Sequence, residues 1–315
     1  YKNGRNMRYL VTGGCGFVGS HIIERLIEDN HEVIVFDNLK IGKINNLKKV
    51  KNKFEFINGD IRHIESMEKI IRDVDGIFHE AALASVPESF KIPNEYYEVN
   101  VIGTQNVFQL AKKNRIKVIF ASSSSVYGNP TKIPISENDS KNPINPYANT
   151  KAQCEKIAEE FSQKGVEIIG LRYFNIFGER QSTEYAGVIK KFLKRISQKL
   201  PPMINGDGNQ IRDFVYVKDV VSANITAMNS EIKNGFFNVG TGKSISIIEL
   251  AEYIISEFGF NFKPIFGPEL IGDILDSKAN ISHAKEILHW NPTTDIKNWL
   301  KDVKNNSELL GSIVE

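Results

Sequence analysis

The sequence predicts an α/β fold, a doubly wound parallel sheet with a smaller C-terminal α/β lobe for binding substrate. Three observations predict it. Short apolar runs alternate with stretches of helical period through the first 177 residues. A glycine cluster separates the first run from the first helical stretch. After Asn175 the chain turns polar and Pro/Gly-rich, with shorter elements. Continuous apolar runs are what strands buried on both faces require, and right-handed crossovers then place helices on both sides.

Each element follows in order. "YLVT" at 9–12 is the first strand, and "FVGSHIIERLIEDN" after the glycines has helical period. "EVIVFD" at 32–37 and "FEFING" at 54–59 are the second and third strands, the latter followed by the helical "HIESMEKIIRDV". "GIFHEAA" holds the fourth strand, a long helical pattern covers 94–114, and "KVIFASS" at 117–123 is the fifth. A helix opening on "PYANTK" and a strand in "VEIIGLRYF" at 166–174 complete this half. Beyond them "GERQSTEY" reads as a polar loop and "KLPPMINGDGNQ" as a turn-rich connection. "RDFVYVKDV" and "GFFNVGTG" hold strands, with a return to the main sheet possible within 211–240.

Composition excludes several classes. With 315 residues, 41% of them hydrophobic, the chain can bury one large core or two. The formal charge is only +2 and no basic stripe interleaves with aromatics, which argues against nucleic acid as a partner. No apolar run approaches the ~20 residues of a membrane span. The two cysteines form no motif and the six histidines are dispersed, so no metal site is expected. A reducing, cytoplasmic setting is the expectation.

Thr12 to Gly19, "TGGCGFVG", can be read as Gly13-x-x-Gly16-x-x-Gly19 or Gly14-x-Gly16-x-x-Gly19. Glycines there permit a tight turn and let backbone approach a pyrophosphate at the helix N-terminus. Asp37 closes the second strand 18 residues beyond Gly19, placed to accept from ribose hydroxyls and to repel a 2′-phosphate. NAD is therefore expected over NADP. The division follows: 7–177 for the dinucleotide, 178–315 for the substrate.

Tyr147 and Lys151 are four apart, with Pro146 suited to a first helical turn and Asn145 to a cap. Alone, the pair reads as an ordinary amphipathic surface turn. Its neighbours change that. Asp60-Ile61, Ala81-Ala82 and Ser122–Ser125 follow the third, fourth and fifth strands, and ligands in such sheets lie beyond the carboxyl ends. A nearby ammonium and a helix N-terminus both favour phenolate, so Tyr147 is expected to titrate below ~10 and act as a base. Ser123 is placed to bond the same substrate oxygen. Some of this serine run only satisfies backbone at a strand end.

These residues, with "FDNL", "NGDIR", "SSSSVYG", "LRYFN", "GDGNQIRDFVYVKDV", "FNVGTG" and "SKANISHAKEILHWNP", resemble the extended short-chain dehydrogenases/reductases. Within them the chain is similar to the nucleotide-sugar epimerase/dehydratase group, and most to 4-epimerases of UDP-glucose and UDP-N-acetylglucosamine. The resemblance runs from Met7 to about Leu300. It implies a Rossmann-type domain, a tightly held NAD and a UDP-sugar substrate. Catalysis would fall to Ser123, Tyr147 and Lys151. NAD would meet Gly13, Gly16, Phe17, Val18, Gly19, Asp37, Asn38, Asp60, Ile61, Ala81, Ala82, Asn100 and Phe174, besides Tyr147 and Lys151. Ser123 and Ser124 would meet the sugar, Asn175 and Arg212 the phosphates, and Val188, Met203 and Asn205 the uridine. Asp273 would meet the ribose. A bland reading stands beside these: Val188 and Met203 as core, Asn205 as a turn residue, Arg212 as a surface ion pair. The resemblance also implies a homodimer through helices near 94–114 and 147–161.

Subclass rests partly on absence. The 4,6-dehydratases place an Asp-Glu pair after the catalytic hydroxyl residue, and UDP-glucuronate decarboxylases a Glu before "VYG"; here those positions are Ser124 and Ser125. Two departures bear on substrate. The family's Arg-x-Gly-Asp is here Leu270-Ile271-Gly272-Asp273, leaving Lys278 or Arg180 as substitute cations. The position beside the sugar C2 falls on Ser277, small enough for an acetamido group. The alternatives are another NAD-dependent nucleotide-sugar enzyme or a non-catalytic dinucleotide-binding regulator.

Overall fold

A computed structural model describes residues 6–182 and 187–314; part of the polar loop expected at 178–185 lies outside them. Six strands, β1 (Arg8–Thr12), β2 (Glu32–Asp37), β3 (Glu55–Asn58), β4 (Gly76–His79), β5 (Lys117–Ser123) and β6 (Ile168–Tyr173), join the later strand Asn234–Val239 in one sheet. The order is Asn234–Val239, β6, β5, β4, β1, β2, β3, and every neighbouring pair is parallel. The chain leaves β1 toward β2 on one side and returns toward β4 on the other, which opens a crevice at the carboxyl end of β1.

Alternation along each strand explains the continuous apolar runs. Val11, Val35, Phe78 and Leu171 face one way, onto Ile22, Ile23 and Leu26 of helix Phe17–Glu28 and Val220 and Val221 of helix Val217–Asn229. Leu10, Ile34, Ile77 and Val118 face the other way, onto Phe108, Leu110, Cys154 and Ala158. The later elements gather a further core of Phe177, Phe192, Ile204, Leu250, Trp299 and Leu300.

Two elements differ from expectation. The helix after β3 covers only Ile64–Glu68. Met67, Ile71 and Val74 are still buried at helical intervals, so turns satisfy the apolar pattern without continuous helical hydrogen bonding. The 94–114 stretch is helix Pro93–Tyr96, a π-helical turn Tyr97–Ile102 and helix Gly103–Asn114. Such wide turns insert a residue and re-aim side chains, often near functional sites.

Helix Pro146–Gln163 starts as its sequence dictates. Asn145 Oδ1 accepts from the Ala148 amide at 2.8 Å, and Pro146 takes the first turn, where its missing N–H costs nothing. One turn beyond Lys151, fully buried Glu155 accepts from Arg172 Nε and Nη2, both at 2.8 Å, and from Ser122 Oγ at 2.6 Å. Arg172 Nη1 also donates to the Tyr127 hydroxyl at 2.7 Å. This network fixes the helix against β5 and β6. No helix among the described residues is long and apolar enough to cross a membrane.

Candidate active site

The glycine turn is shaped for close backbone approach. Gly13 has φ +67°, and a Cβ there would lie 2.6 Å from the Ala81 nitrogen. A Cβ on Gly19 would lie 2.3 Å from the Gly13 carbonyl oxygen, so the helix can approach the strand only without a side chain. Asp37 is buried at the end of β2; Oδ2 accepts from the Cys15 amide at 2.9 Å and Oδ1 from the Leu39 amide at 2.8 Å. Burial raises its carboxyl above the usual range, against those two bonds. Asp60 is held well below that range by Arg62, which it chelates, with Asn38 Nδ2 adding a bond at 3.0 Å.

A cavity of about 440 Å³ runs over this edge of the sheet. Gly13, Gly16, Phe17, Val18 and Gly19 line it from the turn, and Asp37, Asn38, Asp60 and Ile61 from β2 and β3. Ala81, Ala82, Ser123, Tyr147, Lys151 and Phe174 line it from the other side, with Val188 from the start of helix Val188–Ser197. Asn100 is not in the lining. It is buried behind it in the π turn, where Oδ1 accepts from the Leu83 amide at 2.8 Å and Nδ2 donates to the Leu83 carbonyl and to Thr150 Oγ1. That holds the segment after β4 against the helix bearing Tyr147.

A second cavity of about 210 Å³ adjoins the first. Ser124, Arg212, Asp273 and Ser277 line it, and Ser123, Tyr147, Tyr173, Phe174 and Asn175 line both. Ser123 and Tyr173 are register partners at the ends of β5 and β6. Ser123 Oγ accepts from the Ser125 amide at 3.2 Å and from Ser125 Oγ at 2.9 Å. Lys151 Nζ donates to the Ala121 carbonyl at 2.7 Å, fixing the ammonium inside the cleft. Arg212 Nη2 donates to Asp273 Oδ1 at 2.6 Å. Met203 and Asn205 lie in neither lining; Met203 is exposed, not core, and Asn205 Nδ2 donates to the Pro268 carbonyl.

Neither substitute cation reaches these cavities. Arg180 is paired with Glu24 on the first helix, and Lys278 is absent from both linings. Two groups have structural roles. His79, pushed down to about 3 by burial, bridges Thr12 Oγ1 and Thr104 Oγ1. Burial and Asp37 push the Cys15 thiol up to about 12, too high for a nucleophile. No cluster that could hold a metal ion occurs among the described residues. Sequence reasoning missed Glu80 as a lining residue; a carboxylate inside the apolar "GIFHEAA" run was the available signal.

A family model described as NAD dependent epimerase/dehydratase matches residues 9–240. The chain belongs to the NAD-dependent epimerase/dehydratase family. Among relatives of this epimerase/dehydratase, a UDP-N-acetylglucosamine 4-epimerase from Methanobrevibacter ruminantium, solved with UDP-N-acetylmuramic acid, is 39% identical with a TM-score of 0.90. That match covers 96% of this chain and 98% of the other. A UDP-glucose 4-epimerase from Thermotoga maritima with UDP-glucose is 35% identical, with a TM-score of 0.91 and coverage of 96% and 99%. A UDP-N-acetyl-alpha-D-glucosaminuronate decarboxylase from Bacillus cytotoxicus is 33% identical over 94% of this chain and 96% of its own.

The glycine cradle, the long cavity and Asp37 fit the NAD on which this family depends. Asp37→Asn removes the carboxylate charge from this part of the cavity lining while retaining an acceptor. It should reduce the preference for NAD over NADP by about 10-fold, the size of one charge-assisted hydrogen bond. Calorimetric titration of both dinucleotides checks this, and an unchanged preference would remove Asp37 from cofactor selection.

Proposed function

We propose that this epimerase/dehydratase interconverts C4 epimers of a UDP-hexose, UDP-glucose/UDP-galactose and UDP-N-acetylglucosamine/UDP-N-acetylgalactosamine, through a transient 4-keto sugar. One observation carries the reading: the dinucleotide cavity and the smaller cavity meet at Ser123 and Tyr147, and Ser124 and Ser125 leave no carboxylate beside them. Bound NAD supplies a reversible hydride acceptor. Tyr147 takes the O4 proton as the C4 hydrogen departs and gives it back when hydrogen returns to the opposite face. Lys151, its ammonium fixed in the cleft by the Ala121 carbonyl, holds the nicotinamide ribose, while Ser123 bonds O4. With Ser124 and Ser125 where dehydratases and decarboxylases of the family carry a carboxylate, elimination of water and loss of a carboxyl group lack the acid or base placed at those two positions.

Arg212 is the only cation in the lining of the smaller cavity among the described residues. Its pairing with Asp273 keeps it neutralised until a pyrophosphate competes for it. Val188 borders the uridine end in this reading, and a homodimer through helices Gly103–Asn114 and Pro146–Gln163 is the proposed assembly. Product analysis tests the reaction: incubation with UDP-glucose or UDP-N-acetylglucosamine, without added cofactor, should give the isobaric galacto epimer. Loss of water or carbon dioxide would assign the chain to a dehydratase or decarboxylase reaction instead.

Buried Ser277 carries the sugar preference. Ser277→Tyr should cut activity on the acetamido sugar by about 100-fold and leave the plain hexose within a few-fold, the range a filled subsite discriminates. Equal losses on both sugars would show that Ser277 does not face C2.

A further inference from the structure

The cleft holds one carboxyl group for which nucleotide and sugar recognition give no use. Glu80 follows β4 at the carboxyl edge of the sheet, its amide donating to the Thr12 carbonyl at 3.1 Å, and it is one of the residues lining the larger cavity. The Tyr173 hydroxyl donates to Glu80 Oε1 at 2.9 Å and accepts from Asn224 Nδ2 at 2.8 Å. Among the described residues nothing hydrogen-bonds the other carboxyl oxygen.

Two relations locate this group along the cavity. Tyr173 is one of the five residues shared with the smaller cavity, so Glu80 is tethered to the junction where cofactor and sugar must meet. Lys151, in the same lining, acts on Glu80 electrostatically. Asp37 closes β2 and Asp60 follows β3, strands on the far side of β1. Glu80 therefore stands at the nicotinamide end and not the adenosine end.

The oxidised nicotinamide ring is a cation and the reduced ring is neutral. An anion beside it lowers the free energy of the first form alone. We propose that Glu80 sets the redox poise of the bound dinucleotide: its carboxylate, anchored by Tyr173, favours the oxidised ring and so drives return of hydride to the keto sugar. The step balances without another reactant, since the two electrons and the hydrogen taken from C4 go back to the same carbon. A short-lived keto sugar is less able to escape before the hydride returns. The inference rests on NAD dependence and not on which sugar is used.

The charge of Glu80 is itself poised. Burial, partly offset by Tyr173 and Lys151, pushes its carboxyl up to about 7. Its titratable and charged neighbours are Lys151 from helix Pro146–Gln163 and Tyr173 from β6; helix Val217–Asn229 offers the neutral Asn224. His79 turns to the opposite face, onto Thr104. A cationic ring lowers the Glu80 pKa and its loss raises it, so reduction takes up an extra proton near neutral pH.

The test is the midpoint potential of the dinucleotide in the holoenzyme, read from the near-ultraviolet absorbance of the reduced form as the solution potential is stepped. Glu80→Gln keeps the acceptor for Tyr173 and removes the charge. It should raise the ratio of reduced to oxidised dinucleotide at fixed potential by about 10-fold, equivalent to ~30 mV for a two-electron couple. A shift below twofold in a folded variant overturns the proposal. Should the variant not fold, the native holoenzyme still decides. Its midpoint should fall more steeply than the ~30 mV per pH unit of a simple hydride couple around pH 7; a slope of ~30 mV throughout contradicts the assignment.

Discussion

Replacing Tyr147 with Phe should lower turnover by about 10³-fold, within the range that a positioned acid–base group contributes, while NAD stays bound and the melting temperature barely moves. The asymmetry follows from the surroundings of the hydroxyl. It lines both cavities, and among the described residues it makes no hydrogen bond that folding depends on. The ring packs against the core under helix Pro146–Gln163, and Phe retains that contact. Steady-state rates, bound dinucleotide and a thermal melt on one preparation check all three statements. Near-native turnover in the variant would remove Tyr147 from the chemistry.

Arg172→Met should cost about 3–5 kcal/mol of stability, because it leaves Glu155 buried without its bidentate partner. The melting temperature should fall by about 10 °C. Burial alone would raise the Glu155 carboxyl, but the Arg172 hydrogen bonds and charge, with Ser122 and Lys141, outweigh it and hold it below the usual range. Because the native pKa lies below the unfolded one, the stabilisation is complete above the unfolded value of ~4.5 and is lost as pH falls through the native value. The gap between wild type and variant should therefore be widest near neutrality and narrow below about pH 4.5. Melts from pH 3 to 8 check this, and a gap independent of pH would mean that packing, not charge, supplies the cost. Turnover should fall too, since the same network fixes the helix that carries Tyr147 and Lys151.

The sheet was legible because strands buried on both faces leave uninterrupted apolar runs, as "EVIVFD" and "KVIFASS" do. The glycine turn was legible for a comparable reason, since steric exclusion at Gly13 and Gly19 permits few residue types. The π turn at Tyr97–Ile102 was not, because a single inserted residue hardly disturbs a helical apolar pattern. Glu80 was missed because its importance comes from Tyr173, 93 residues away, which no local spacing reveals. The Arg212–Asp273 pair was half legible: an ion pair was the bland reading of Arg212, but that it is buried and that its partner is Asp273, 61 residues away, only the fold shows.

Hydrogen tracing tests the central chemistry most directly. UDP-glucose, or its acetamido counterpart, carrying deuterium at C4 is incubated with the purified protein, and the epimeric product is examined by NMR and mass. Transient oxidation at the Tyr147 junction predicts that deuterium stays on C4 of the inverted sugar with no loss to water. Exchange of that position with solvent hydrogen, or inversion at a carbon other than C4, would contradict the account.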